Sequence, residues 1–262
     1  MLHIEAVTVC VGYGDILKVV APYNRPHLAR WIVVTTAQDE ETRQVCRSHS
    51  IDCLTTEEFT REGPGSFCKS RGINKGLDQL RGDGWLMHLD ADICLPFDFA
   101  QCAADADMQP GHIHGVDRIN VAGEAAWEAV KRQGLYSREG GWLAEKRRPE
   151  TWVGGQPAGN GIGWAPIGFL QIWKGSHTLT WDFPRKRYPE AHGNAARTDV
   201  QFALQWDRKH RTFIPELLVF HLETEAAQMG ANWGGRKTRR WGQPPLPQSL
   251  AGMSAPQKFY GT

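Results

Sequence analysis

Two aspartates, Asp90 and Asp92, close the apolar run of the stretch GWLMHLDADICLP. Carboxylates this close repel each other and raise one another's pKa unless a cation sits between them. On extended chain, residues i and i+2 project to one side. Such a pair can hold a hard divalent ion, Mg²⁺ or Mn²⁺, whose shell substrate phosphates commonly complete. The plain counterpart is a solvated turn with a capping aspartate. His221, which ends the apolar run of ELLVFHLETE, is a candidate third ligand or a satisfied histidine at a strand end. Asp199, in RTDVQFALQW, opens a helical pattern. An acid there suits the helix dipole.

These residues need elements to carry them. IEAVTVCVG reads as a buried strand, DILKVVAPY as a helix ended by Pro22, and RWIVVTT as a second, β-branched strand. DEETRQVCRSH follows as an amphipathic helix with acids at its start, IDCLTT as a short strand and FCKSRGINKGLDQLR as a helix. GWLMHL is then a fourth strand that runs into the aspartates. The D-x-D tripeptide recurs by chance, and its place at the end of that strand gives it weight. Strands alternating with helices imply βαβ units and a mostly parallel sheet with right-handed crossovers. Ligands of open α/β sheets bind beyond the carboxyl ends of the strands. Asp90 and Asp92 occupy one such end, and Thr35, Thr36 and Asp39 another.

Past Pro96 the pattern loosens. HIHGVDRINV, GFLQIWKG and TFIPELLVFHLE read as strands, GEAAWEAVKRQGL and ARTDVQFALQWDRK as helices, and the Gly/Pro-rich basic tail from Gly230 as a surface wrap. No repeat or linker divides the chain, so a single domain is expected over residues 1–262.

The bulk numbers set limits. A formal net charge of +1 makes the surface as a whole no magnet for nucleic acid or membrane. No apolar run approaches the roughly 20 residues of a membrane span. The N-terminus lacks a signal-peptide pattern. Six cysteines without a C-x-x-C, several in apolar runs, suggest a reducing compartment and a cytoplasmic protein. Eleven tryptophans, most after Gly123 and several beside glycine, suit either a stacking groove for sugar-like ligands or packing under long loops.

Taken as a series, these segments resemble family-2-like glycosyltransferases of the GT-A fold, including uncharacterised, often phage-encoded members. VVTTAQDEET is similar to the nucleotide-binding segment after the second strand, with Asp39 and Thr42 matching part of a D-x-x-T pattern. FCKSRGINKGL resembles the helix before the D-x-D strand, and LMHLDADICLP that strand itself. The sequence departs from the common form in having VVTTAQD where a doubled acid is usual, and TD where ED is usual.

The resemblance implies a Rossmann-like mixed sheet flanked by helices, with a nucleotide-sugar-binding half at 1–96 and an acceptor-binding half at 97–262. It implies Thr35, Asp39, Lys69, Asn74 and Asp90 as donor contacts, and Asp90, Asp92 and His221 around Mn²⁺ or Mg²⁺. Arg236 and Lys237, in ANWGGRK, would meet the diphosphate by charge-assisted hydrogen bonds. Asp199 would be the base of an inverting transfer from a UDP-sugar to a glycan or other hydroxyl.

Two other readings stand beside this one. Sugar nucleotidyltransferases share acidic metal sites on α/β sheets, but VGYGDILK lacks the basic residue of their usual first loop. A non-catalytic carbohydrate-binding protein on a transferase fold would not need an intact D-A-D. The basic stretches FPRKRYPE and GRKTRRWG suit a solvated face or an anionic acceptor such as nucleic acid.

Overall fold

A computed structural model describes residues 2–60, 67–132, 155–157, 164–166, 168–175, 186–190, 198–223 and 240–241. Arg236, Lys237 and nearly all of the basic tail lie outside the described residues.

Local sequence builds the first half directly. β1 (Ile4–Val9) and β2 (Arg30–Thr35) are buried almost throughout, as in a sheet covered on both faces. Their alternate residues divide between two cores. Ile4, Ala6, Trp31 and Val33 face α1 (Gly14–Asn24) and α2 (Glu40–Ser48), while Val7, Val9, Ile32 and Val34 face α3 (Lys69–Leu77). β3 (Asp52–Thr55) and β4 (Trp85–Leu89) complete a parallel set in the order β3-β2-β1-β4.

Pro22 does not end α1 as the sequence pattern suggests. The helix includes it and continues to Asn24. Proline deprives only the exposed Lys18 of a helical partner. Buried Asn24 then donates to the Ile93 carbonyl at 2.7 Å and accepts from Leu95 N at 2.8 Å. The helix end is thereby tied to β5 (Ile93–Cys94).

The second half extends the same sheet with mixed direction. After α4 (Phe99–Asp105), β6 (Ile113–Ala122) leads into α5 (Gly123–Arg132). β7 (Gly155–Pro157) and β8 (Trp164–Pro166) form a separate ribbon. β9 (Leu170–Lys174) inserts antiparallel between β4 and β6, and β10 (Arg211–Glu223) runs parallel to β6. β5 closes the edge antiparallel to β10. The expected α/β fold, a mostly parallel mixed sheet flanked by helices, is the one observed.

The helix expected across residues 196–209 is described from α6 (Thr198–Ala203), followed by turns and a short 3₁₀ segment at Arg208–His210. Trp31, Trp85, Trp127, Trp173 and Trp206 are buried in the cores, so these five serve packing. No helix among the described residues is long and apolar enough to cross a membrane.

Candidate active site

The site begins where β4 ends. Asp90 N donates to the Phe169 carbonyl at 2.9 Å, and the chain then turns, with Ile93 N 3.3 Å from the Asp90 carbonyl. Asp90 and Asp92 therefore sit in a turn and not on extended chain, which corrects the same-side geometry expected of the pair. Their side chains take different partners. Asp90 pairs with the ammonium group of Lys69, at the first residue of α3, and lies 3.3 Å from Nε2 of His88. Asp92 Oδ2 lies 3.2 Å from Nε2 of His221, whose Nδ1 is 3.3 Å from Oδ1 of Asn120. The pairing of β5 with β10 sets this contact, because His221 is in register with Ile93 and Leu222 N donates to the Asp92 carbonyl at 2.8 Å.

The two carboxylates differ in their electrostatics. Burial raises the pKa of Asp90, against the pull of Lys69, and the charge of Asp92 adds to the rise. Burial also disfavours charge on Asp92, but His221 outweighs it and holds the carboxyl below the ordinary range. His88 is pushed well below the usual imidazole value by burial and then by Lys69.

Asp92 and His221 offer the donor types a divalent ion takes. Oδ1 of Asp92 is buried without a hydrogen-bond partner among the described residues, and an orphaned carboxylate oxygen beside an imidazole suits a cation. Asp90, turned toward Lys69, does not join Asp92 and His221 in a compact three-ligand cluster.

Thr35 and Asp39 are buried at the end of β2. The Asp39 carboxylate accepts from Gly12 N at 2.8 Å, Thr35 Oγ1 at 3.1 Å, Thr42 N at 3.1 Å and Thr42 Oγ1 at 2.8 Å. It caps α2 and fastens to it the loop after β1, where Gly12 takes a φ of 72°. Asn74, on α3, is likewise committed internally. Its side chain donates to the Tyr188 carbonyl at 2.9 Å and to Glu190 at 2.7 Å, and accepts from Tyr188 N at 2.9 Å.

Asp199 also meets the 168–169 turn. Gly168 N donates to Asp199 Oδ2 at 2.6 Å, one residue from the Phe169 carbonyl that holds Asp90. A Cβ at Gly168 would collide with that of Asp199, so this close approach requires glycine. Gln171 donates to the Asp199 carbonyl at 3.1 Å and to the Pro166 carbonyl at 2.8 Å, and accepts from the Tyr188 hydroxyl. The Tyr188 ring stacks on Phe202 at 3.8 Å and meets the edge of His88 at 5.3 Å.

His88, Gln171, Tyr188, Asn120 and Arg118, whose guanidinium lies 4.5 Å over the Phe169 ring, escaped the sequence reading. The available signal was a polar residue in an apolar strand: His88 in WLMHL and Gln171 in LQIW. Such residues stay buried only with partners.

No family model and no curated protein matches the chain. Several solved structures resemble it weakly. One is glucosyl-3-phosphoglycerate synthase from Mycobacterium tuberculosis, in complex with Mn²⁺, UDP-glucose and phosphoglyceric acid. It is 15% identical with a TM-score of 0.46, over 84% of this chain and 71% of that one. Mannosyl-3-phosphoglycerate synthase from Rubrobacter xylanophilus is 17% identical with a TM-score of 0.34, over 46% and 41% of the two chains. 4-Diphosphocytidyl-2C-methyl-D-erythritol synthase is 15% identical with a TM-score of 0.34, over 47% and 63%.

Proposed function

We propose that the chain is a metal-dependent glycosyltransferase that moves a sugar from a nucleoside-diphosphate sugar to an acceptor hydroxyl with inversion. The observation that carries this reading is the Asp92–His221 pair beside the Asp90–Lys69 pair, at the carboxyl end of a central strand. One carboxylate with an imidazole and one with an ammonium group form a site for a phosphate-bearing ligand and its cation.

Asp92 and His221 would hold Mn²⁺ or Mg²⁺, which supplies Lewis-acid compensation for the charge of a departing diphosphate. Asn120 orients the His221 ring. Lys69 holds Asp90 in place and adds positive charge where the donor sits. Thr35 and Asp39 act on the donor through the Gly12 loop that Asp39 fastens, and Asn74 acts through the Tyr188 segment. Arg236 and Lys237 are assigned to the diphosphate by sequence resemblance. Asp199, with one oxygen on Gly168 N, uses the other to take the acceptor's proton.

UDP is the first nucleotide to test and a glycan the first acceptor, ahead of nucleic acid. Residues 1–96 are assigned to the donor and 97–262 to the acceptor within one domain. A cytoplasmic setting suits six cysteines that are all free thiols.

The test is a thermal-shift panel of nucleoside diphosphates with and without Mn²⁺, followed by transfer assays with the stabilising nucleotide's sugars. A ligand that binds only the folded state must raise its stability. Metal-dependent stabilisation by one diphosphate is expected. A flat panel would overturn the reading.

A further inference from the structure

We infer that His3, Glu5 and Asp83 form a separate cation site for a first-row transition ion such as Zn²⁺ or Mn²⁺, at the opposite end of the sheet from Asp90. One ligand atom from each lies within 4.8 Å of the others. The strands bring them there. His3, just before β1, and Glu5, within it, are two apart and share a face by alternation, and Asp83 lies two residues before β4, the neighbour of β1. Trp85 N donates to the His3 carbonyl at 2.8 Å, which fixes the register. Gly84 has no room for a Cβ against His3, so the turn closes tightly on the imidazole.

Glu5 supplies the second, independent reason. Its side chain belongs to a residue only 1% exposed, and it receives one amide bond, from Gly82 N at 2.9 Å. No lysine, arginine or histidine pairs with it among the described residues. A buried carboxylate without a countercharge is costly, and a cation between it and its two neighbours removes that cost. His3 Nε2 and Asp83 Oδ1 stand 3.5 Å apart, with side chains 48% and 31% exposed, so the site opens to water that can complete a shell. One imidazole and two carboxylates favour Zn²⁺ or Mn²⁺ over Mg²⁺, which prefers an all-oxygen shell.

The site is structural in kind. About seven residues of extended chain, on the order of 20 Å, separate Asp83 from Asp90. A bound ion there would join the starts of β1 and β4 to the Gly82 turn, where Gly175 N donates to the Gly84 carbonyl at 3.0 Å.

The test uses Asp92→Asn protein, which removes a ligand of the proposed catalytic cation, so this site is read independently of the transfer chemistry. Equilibrium dialysis should find one Zn²⁺ per chain, with a rise in Tm, and Mg²⁺ at the same concentration should be inert. Adding His3→Ala should weaken Zn²⁺ binding at least tenfold. Glu5→Gln, which keeps an acceptor for Gly82 N, should do the same with the fold preserved. Absence of Zn²⁺ binding, binding in either added variant as tight as in the Asp92→Asn parent, or equal stabilisation by Mg²⁺ would overturn the site.

Discussion

His221 Nε2 lies 3.2 Å from Asp92 Oδ2 across 129 residues of chain. The contact holds because β5 and β10 pair at that point, so it belongs to the fold and not to a mobile side chain. Asp92→Asn is expected to abolish Mn²⁺-dependent nucleotide binding and transfer. Circular dichroism should show an unchanged fold. Metal-dependent activity retained in this variant would remove Asp92 from the metal's ligands.

Asp199 is expected to act on turnover alone. Asp199→Asn keeps an oxygen for Gly168 N but loses the base, and kcat should fall by about 10²–10⁴ with donor affinity unchanged. The anomeric configuration of the product gives an independent check, since a retained configuration needs no base.

Gly168→Ala tests the same carboxylate without altering it. The added methyl meets Asp199, so kcat should fall while nucleotide binding at Asp92 persists. Equal kcat for this variant and wild type would show that the position of Asp199 does not matter.

Asn74→Ala removes three hydrogen bonds, one of which satisfies the backbone amide of buried Tyr188. Leaving such a donor unpaired costs about 1–3 kcal/mol. Urea unfolding should register that loss, and an unchanged midpoint would show that the 186–190 segment is held by other contacts.

Acid should weaken the fold through His114. Burial first, and His112 second, lower its pKa to about 4 from an ordinary 6.5. A group depressed in the folded state contributes stability above its unfolded value, and that contribution is lost as pH falls from about 6.5 toward 4. Between pH 7 and pH 5 the loss is about 2 kcal/mol. His88 acts in the same direction. His114→Asn should flatten the stability–pH slope across this window, and an unaltered slope would contradict the assignment.

Much of the first half was legible in the sequence because its signals are local. The burial of β1, β2 and β4 follows from predominantly apolar runs. The cap of α2 follows from Asp39 standing three residues before Thr42. The aspartates end a strand because the apolar run ends there.

What only the tertiary structure decided is which partner each charge meets. Periodicity says that LQIWK is a strand but not that it lies antiparallel beside β4, where Gln171 faces His88 and Tyr188 closes over both. It offers two neighbouring aspartates but not that a turn sends one to Lys69 and the other to His221. Nor does it bring His3 and Glu5 to Asp83. Strand order and register fix these pairings across separations of tens to more than a hundred residues. A local pattern records only which face each side chain takes, whereas the partner on that face is set by long-range packing.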